Sequence, residues 1–96
     1  DAIECVLRAL VDPRAAGQSF NVGNERAVCS IYGLAREVVR VLGSASPIVF
    51  RPAARADVDL RVPSVAKARA LLGFEARVEL EEGILRTAAY YREHRA

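Results

Sequence analysis

The chain has 96 residues and a mass of 10.4 kDa; it is 52% hydrophobic and 27% charged, with mean hydropathy +0.12 and a formal net charge of +2. These values fit one soluble globular core and exclude a disordered tail or a multidomain enzyme. Arginine alternates with acidic residues without a basic block, which argues against a nucleic-acid footprint, and no apolar run reaches the ~18 residues of a membrane span.

Ile3, Val6, Leu7, Leu10 and Val11 recur with helical spacing, so the first element is a helix that lays this stripe on a core and stops at Asp12-Pro13. Cys5 falls off the stripe and is expected at the surface or in a former domain contact. Residues 19–23, Ser-Phe-Asn-Val-Gly, have strand composition and close on Gly23-Asn24, a pair suited to a turn with positive φ. Ser30 is placed to cap a second helix carrying Ile31, Leu34, Ala35, Val38, Val41 and Leu42, with Gly43 as its left-handed stop. Residues 47–50, Pro-Ile-Val-Phe, predict a second strand, and the arginine-rich, proline-punctuated residues 51–63 predict a loop. Ser64 is expected to cap a short helix bearing Val65, Ala68 and Leu72, ended by Gly73. A last helix from about Leu80 carries Ile84, Ala88 and Tyr91 on one face, with Glu81 and Glu82 near its positive N-terminal end.

The predicted fold class is therefore α/β and helix-dominated, with four helices and two short strands in a single partial domain over residues 1–96. Two isolated strands cannot satisfy their own edges, so their pairing partners are expected in polypeptide outside this chain. The absence of methionine, and an opening inside a helical period, lead to the expectation that the chain is a processed or excised fragment.

Few residues carry chemistry. All but one of the fourteen basic residues are arginine, Lys67 being the exception. This reads as codon bias, and Lys67 is expected to be an exposed helix residue. Cys5 and Cys29 lack a Cys-x-x-Cys spacing, and His94 is the sole histidine, so one chain cannot assemble a zinc set. Two cysteines without an export signal point to a reducing, cytoplasmic location. Ser30 and Ser64 read as helix caps rather than nucleophiles, because no histidine base is within plausible reach. Phe20, Phe50 and Phe74 read as core anchors, and of Tyr90 and Tyr91 one is expected to pack while the other faces water. The concentration of functional side chains is in the loop, where Arg51, Arg55, Asp57 and Arg61 fall within eleven residues. Guanidinium groups match phosphate oxygens in a two-pronged geometry, and a carboxylate can accept from ribose hydroxyls.

The order of these elements carries a resemblance. Phe20-Asn21-Val22-Gly23, the Ser30-capped helix, the Arg/Asp loop, the run Arg61-Val62-Pro63-Ser64-Val65-Ala66-Lys67-Ala68 through Leu71-Leu72-Gly73-Phe74, and Leu80-Glu81-Glu82-Gly83-Ile84 follow one another. Together they resemble the C-terminal region of extended short-chain dehydrogenases, the NAD-dependent nucleotide-sugar epimerases, dehydratases and decarboxylases, including the ends of UDP-glucose 4-epimerases and UDP-glucuronate decarboxylases. The resemblance implies a substrate-binding C-terminal portion. Arg61 would contact the substrate diphosphate and Asp57 the ribose, with Arg55 as a second cation whose register departs from the family's, since Ala54 fills the usual slot. It also implies a parent with a Rossmann domain that binds NAD, and a parent homodimer. This chain has neither a glycine-rich phosphate loop nor a Tyr-x-x-x-Lys pair: Pro63 stands four residues before Lys67. The implied hydride and proton transfer would then reside in the parent's N-terminal part, with no catalytic residue here. A second reading, from a different class, is a non-catalytic protein-interaction module.

Overall fold

The computed structural model describes residues 1–52 and 62–94. Among these residues are four α-helices, α1 (Ala2–Val11), α2 (Ile31–Leu42), α3 (Ala66–Leu72) and α4 (Leu80–Glu93), with a 3₁₀ turn at Pro13–Ala15. The chain divides into two compact units, Asp1–Val28 with Arg61–Val78 and Cys29–Leu60 with Glu79–Ala96, each taken below over its described residues.

In the first unit α1 packs on α3, and the 3₁₀ turn packs against both. The core is Cys5, Ala68, Leu72, Phe74 and Ala76, with Ala9, Ala15, Phe20 and Leu71 against it. The inward face of α1 is thus the reverse of the one its periodicity predicts: Cys5 is 2% exposed, whereas Ile3, Val6, Leu7, Leu10 and Val11 are 57% to 80% exposed. Cys5 and Ala9 are small, and this lets α1 approach the equally small Ala68 of α3 closely. Two polar clamps hold that orientation. The Arg8 guanidinium donates to the carbonyl oxygens of Leu72 (3.1 Å) and Gly73 (2.7 Å), which the end of α3 leaves without helical partners. The Asp1 carboxylate accepts from the amides of Arg77 (3.1 Å) and Val78 (3.0 Å).

Neither predicted strand forms, and among the described residues there is no strand at all. A strand needs a neighbour to pair with, and here side chains do the stitching instead. Asn21 Nδ2 donates to Ser64 O (3.4 Å), Asn24 Nδ2 to Val78 O (3.3 Å) and Arg26 Nη2 to Ala76 O (2.8 Å). Gly23 is not in the left-handed region. It is small for another reason: a Cβ there would lie 2.6 Å from Pro63 Cγ. Positive φ belongs to Gly17, Gly43 and Gly73, the last two being the expected helix stops.

In the second unit α2 packs on α4. Ser30 Oγ accepts from Gly33 N at 3.0 Å, the cap expected for α2. Arg40 reaches Glu37 on its own helix and, at 2.7 Å, Glu81 on α4. Its guanidinium holds the Glu37 carboxyl below the usual carboxylate range. Ile84 is the buried residue of α4, and α2 has none. Tyr90 and Tyr91 are both exposed, correcting the expectation that one packs; their rings meet edge-on, and His94 stacks on Tyr90 at 4.2 Å. Among the described residues no helix is long and apolar enough to cross a membrane.

Candidate functional site

The three residues singled out for substrate binding, Arg55, Asp57 and Arg61, lie outside the described residues. What is described is how the chain is held on either side of them, within each unit.

On the C-terminal side, in the first unit, residues 62–65 are fastened to the 21–25 segment. Pro63 sits against Gly23, in space that any side chain would fill. The Ser64 carbonyl accepts from Asn21, and the Val65 amide donates to Glu25 Oε1 at 2.9 Å. This last bond corrects the expectation that Ser64 caps α3. The residue at the cap position is Val65, with no side-chain cap, and a carboxylate forty positions away takes up its amide. Glu25 also faces the Arg69 guanidinium at 3.6 Å, so the same carboxylate joins the entry of α3 to its second turn. Lys67 is exposed as expected, and its ammonium lies 5.4 Å from the centre of the Phe20 ring, a cation–π distance. The Phe-Asn-Val-Gly segment therefore acts as a clasp for the residues that follow Arg61.

On the N-terminal side, in the second unit, Phe50 is 77% exposed and not a core anchor. Its ring lies 5.4 Å from that of Tyr32, in the first turn of α2, and the Arg36 guanidinium stands 5.9 Å from the Tyr32 ring centre. Of the three phenylalanines, Phe74 is fully buried and Phe20 partly buried.

The described residues contain no group of three or more His, Cys, Asp or Glu side chains placed to hold a metal ion. The left-handed glycines serve a turn and two helix stops, and Gly23 serves a close contact. Glu25 belongs to no motif and escapes the sequence reading; Asn21 enters it only as part of the Phe-Asn-Val-Gly segment, expected as a strand, and Gly23 as a turn.

No family model matches the chain. It is 40% identical to UDP-glucuronic acid decarboxylase 1 of Xenopus tropicalis over 79 residues, which take in 79% of this chain and 18% of that protein. It is 38% identical to UDP-glucuronic acid decarboxylase 1 of Danio rerio over 71 residues, 74% of this chain and 17% of that protein. The chain is similar to part of a nucleotide-sugar decarboxylase. It spans less than a fifth of the length of these curated relatives.

Proposed function

We propose that the chain is the substrate-binding portion of an NAD-dependent nucleotide-sugar decarboxylase or a close relative among the epimerases and dehydratases. The observation that carries this reading is the 40% identity to a UDP-glucuronic acid decarboxylase across 79 residues. In this reading Arg61 clamps the diphosphate, Arg55 supplies a second cation and Asp57 accepts from the ribose. The clasp on residues 62–65 supports it, because a phosphate ligand needs a fixed backbone close behind it. NAD, and the redox and proton-transfer steps that depend on it, belong to polypeptide outside this chain, as does the homodimer contact.

A charge-assisted hydrogen bond is worth about 1.5–3 kcal/mol, so removing the Arg61 guanidinium should weaken UDP binding by roughly tenfold or more. The test is an NMR titration of the 96-residue chain and of its Arg61→Ala variant with UDP and UDP-sugars. Amide shifts confined to residues 51–65 and weakened in the variant are the expected outcome. An absence of shifts at millimolar nucleotide, or equal affinity in the variant, overturns the assignment.

A further inference from the structure

We infer that Glu25 is a positioning residue for the proposed nucleotide site, acting on Arg61 through the backbone at the entry of α3. The inference rests on the function proposed above. The link from Glu25 to that backbone lies wholly within the first unit.

α3 starts without a cap of its own. Val65, at the cap position, offers no side-chain oxygen and is 3% exposed, where an amide without an acceptor is costly. In a capping box that amide is served by a Glu or Gln three residues on, but here that residue is Ala68, fully buried in the core. Glu25 takes the role from forty positions away: its Oε1 accepts from Val65 N at 2.9 Å, and its Oε2 faces Arg69 Nη2 at 3.6 Å. The hydrogen bond is the effective part of this link. The ion pair is long, and its side chains are 53% and 36% exposed, so solvent screens it.

Arg61 stands four residues before Val65. Between them Pro63 lies against Gly23, and Ser64 O accepts from Asn21 at 3.4 Å. The first is a steric stop and the second a long bond between neutral groups. The Glu25 bond is shorter and charge-assisted, and so the strongest of the three. A guanidinium meets a phosphate in a two-pronged geometry, and a displacement of about 1 Å can cost on the order of a hundredfold in function. The core has other supports: Phe74 is enclosed, Asp1 binds the amides of Arg77 and Val78, and Arg8 binds the carbonyls of Leu72 and Gly73. Loss of the Glu25 carboxylate therefore frees the entry of α3 and leaves the core standing.

The test is a titration of the 96-residue chain with UDP, followed by NMR, for Glu25→Ala and Glu25→Gln, each alone and combined with Arg61→Ala. Gln keeps an oxygen for the Val65 amide and gives up only the screened charge. Glu25→Ala should weaken binding about threefold or more, up to the loss that Arg61→Ala itself produces, with amide shifts of Cys5, Ala68 and Phe74 unchanged. Glu25→Gln should bind as the unsubstituted chain does. In the Arg61→Ala background Glu25→Ala should cost nothing further, which a general loosening of the fold would not reproduce. Should the alanine variant not fold, Glu25→Asp carries the test: it keeps the charge, is one methylene short of the amide, and should bind more weakly than Glu25→Gln. Unchanged affinity in Glu25→Ala overturns the inference, as does equal weakening by Gln, or a loss that persists in full without Arg61. Those outcomes are read with UDP binding by the unsubstituted chain intact. An unsubstituted chain that does not bind UDP overturns the nucleotide site itself, and the positioning role with it.

Discussion

The two units are built from similar helical sequence and reach different degrees of closure. In the first, short helices with small inward residues enclose Phe74, and side chains tie down the intervening segments: Asp1 to 77–78, Arg8 to 72–73, Glu25 to 65 and Arg26 to 76. In the second, two longer helices pack on one another and share an arginine bridge; Ile84 is the buried residue of α4, no residue of α2 is fully buried, and Ile31, Val49 and Phe50 are exposed. Amphipathic strength did not decide this, since α2 has the cleaner helical stripe. What closes a unit this small is a side chain that can be surrounded on all sides, together with polar links that bring non-helical backbone around it.

The sharpest way to break the comparison is to remove one aromatic ring from each unit. Phe74→Ala deletes a fully buried ring and should cost about 3–5 kcal/mol, enough to unfold the first unit of a chain this size. Phe50→Ala removes a ring that is 77% exposed and touches Tyr32, and should cost less than about 1 kcal/mol. Urea titrations followed by far-ultraviolet circular dichroism distinguish the two. Comparable losses would mean that the second unit has a core of its own.

Helices and their ends were legible because the signals are local. Ser30 and Gly43 bracket α2, Asp12-Pro13 ends α1, and Gly73 ends α3. The side of α1 that is covered was not legible, because periodicity marks an apolar face without naming its neighbour. The small residues Cys5 and Ala9 won the close contact while the large ones were left outside. The strands failed for a related reason: Phe-Asn-Val-Gly and Pro-Ile-Val-Phe have strand composition, but a strand is a relation between two segments, and neither has a described partner. Of the candidate site, the sequence singled out Arg55, Asp57 and Arg61, which lie outside the described residues. It did not reveal the clasp behind them, because Glu25 and Val65 are forty positions apart and meet through no motif.

A smaller effect sharpens the role of that clasp in closing the first unit. Gly23→Ala places a methyl group 2.6 Å from Pro63 Cγ, where one of two backbone segments must move. Its φ is unstrained, so the cost is steric alone, about 1–3 kcal/mol. Gly33→Ala in the second unit is the matched control. It meets Ser30 Oγ at 3.3 Å and needs a shift of a few tenths of an ångström, so it should be close to neutral or gain slightly from helix propensity. Thermal melts of the two variants should differ in that order, and a neutral Gly23→Ala would mean that the clasp yields without consequence.

The smallest expected difference is in acid. In the first unit Asp12 accepts hydrogen bonds from the Arg14 guanidinium (2.7 and 3.0 Å) and from the Arg14 amide (2.9 Å), and these bonds lower its pKa from 3.8 to about 2. In the second unit Arg40 lowers Glu37 from an ordinary 4.5 in the same direction. A carboxyl lowered by folding binds its proton more readily in the unfolded chain. Its contribution is therefore complete above the unfolded value and disappears as pH falls through the folded one. The Asp12 contribution should persist at pH 4.5 and fade between about pH 4 and pH 2, whereas that of Glu37 starts to fade from about pH 4.5 downward. Both carboxyls are half-buried at the surface and their arginine partners are exposed to screening solvent, so each effect is small. Asp12→Asn should melt below the unsubstituted chain at pH 5, with the gap narrowing between about pH 4 and pH 2 and closing only below about pH 2, and Glu37→Gln should begin to converge at a higher pH. A gap for Asp12→Asn that stays constant from pH 5 to pH 2 would mean that the turn after α1 is held by its backbone alone, and the first unit's closure would then owe nothing to this carboxylate.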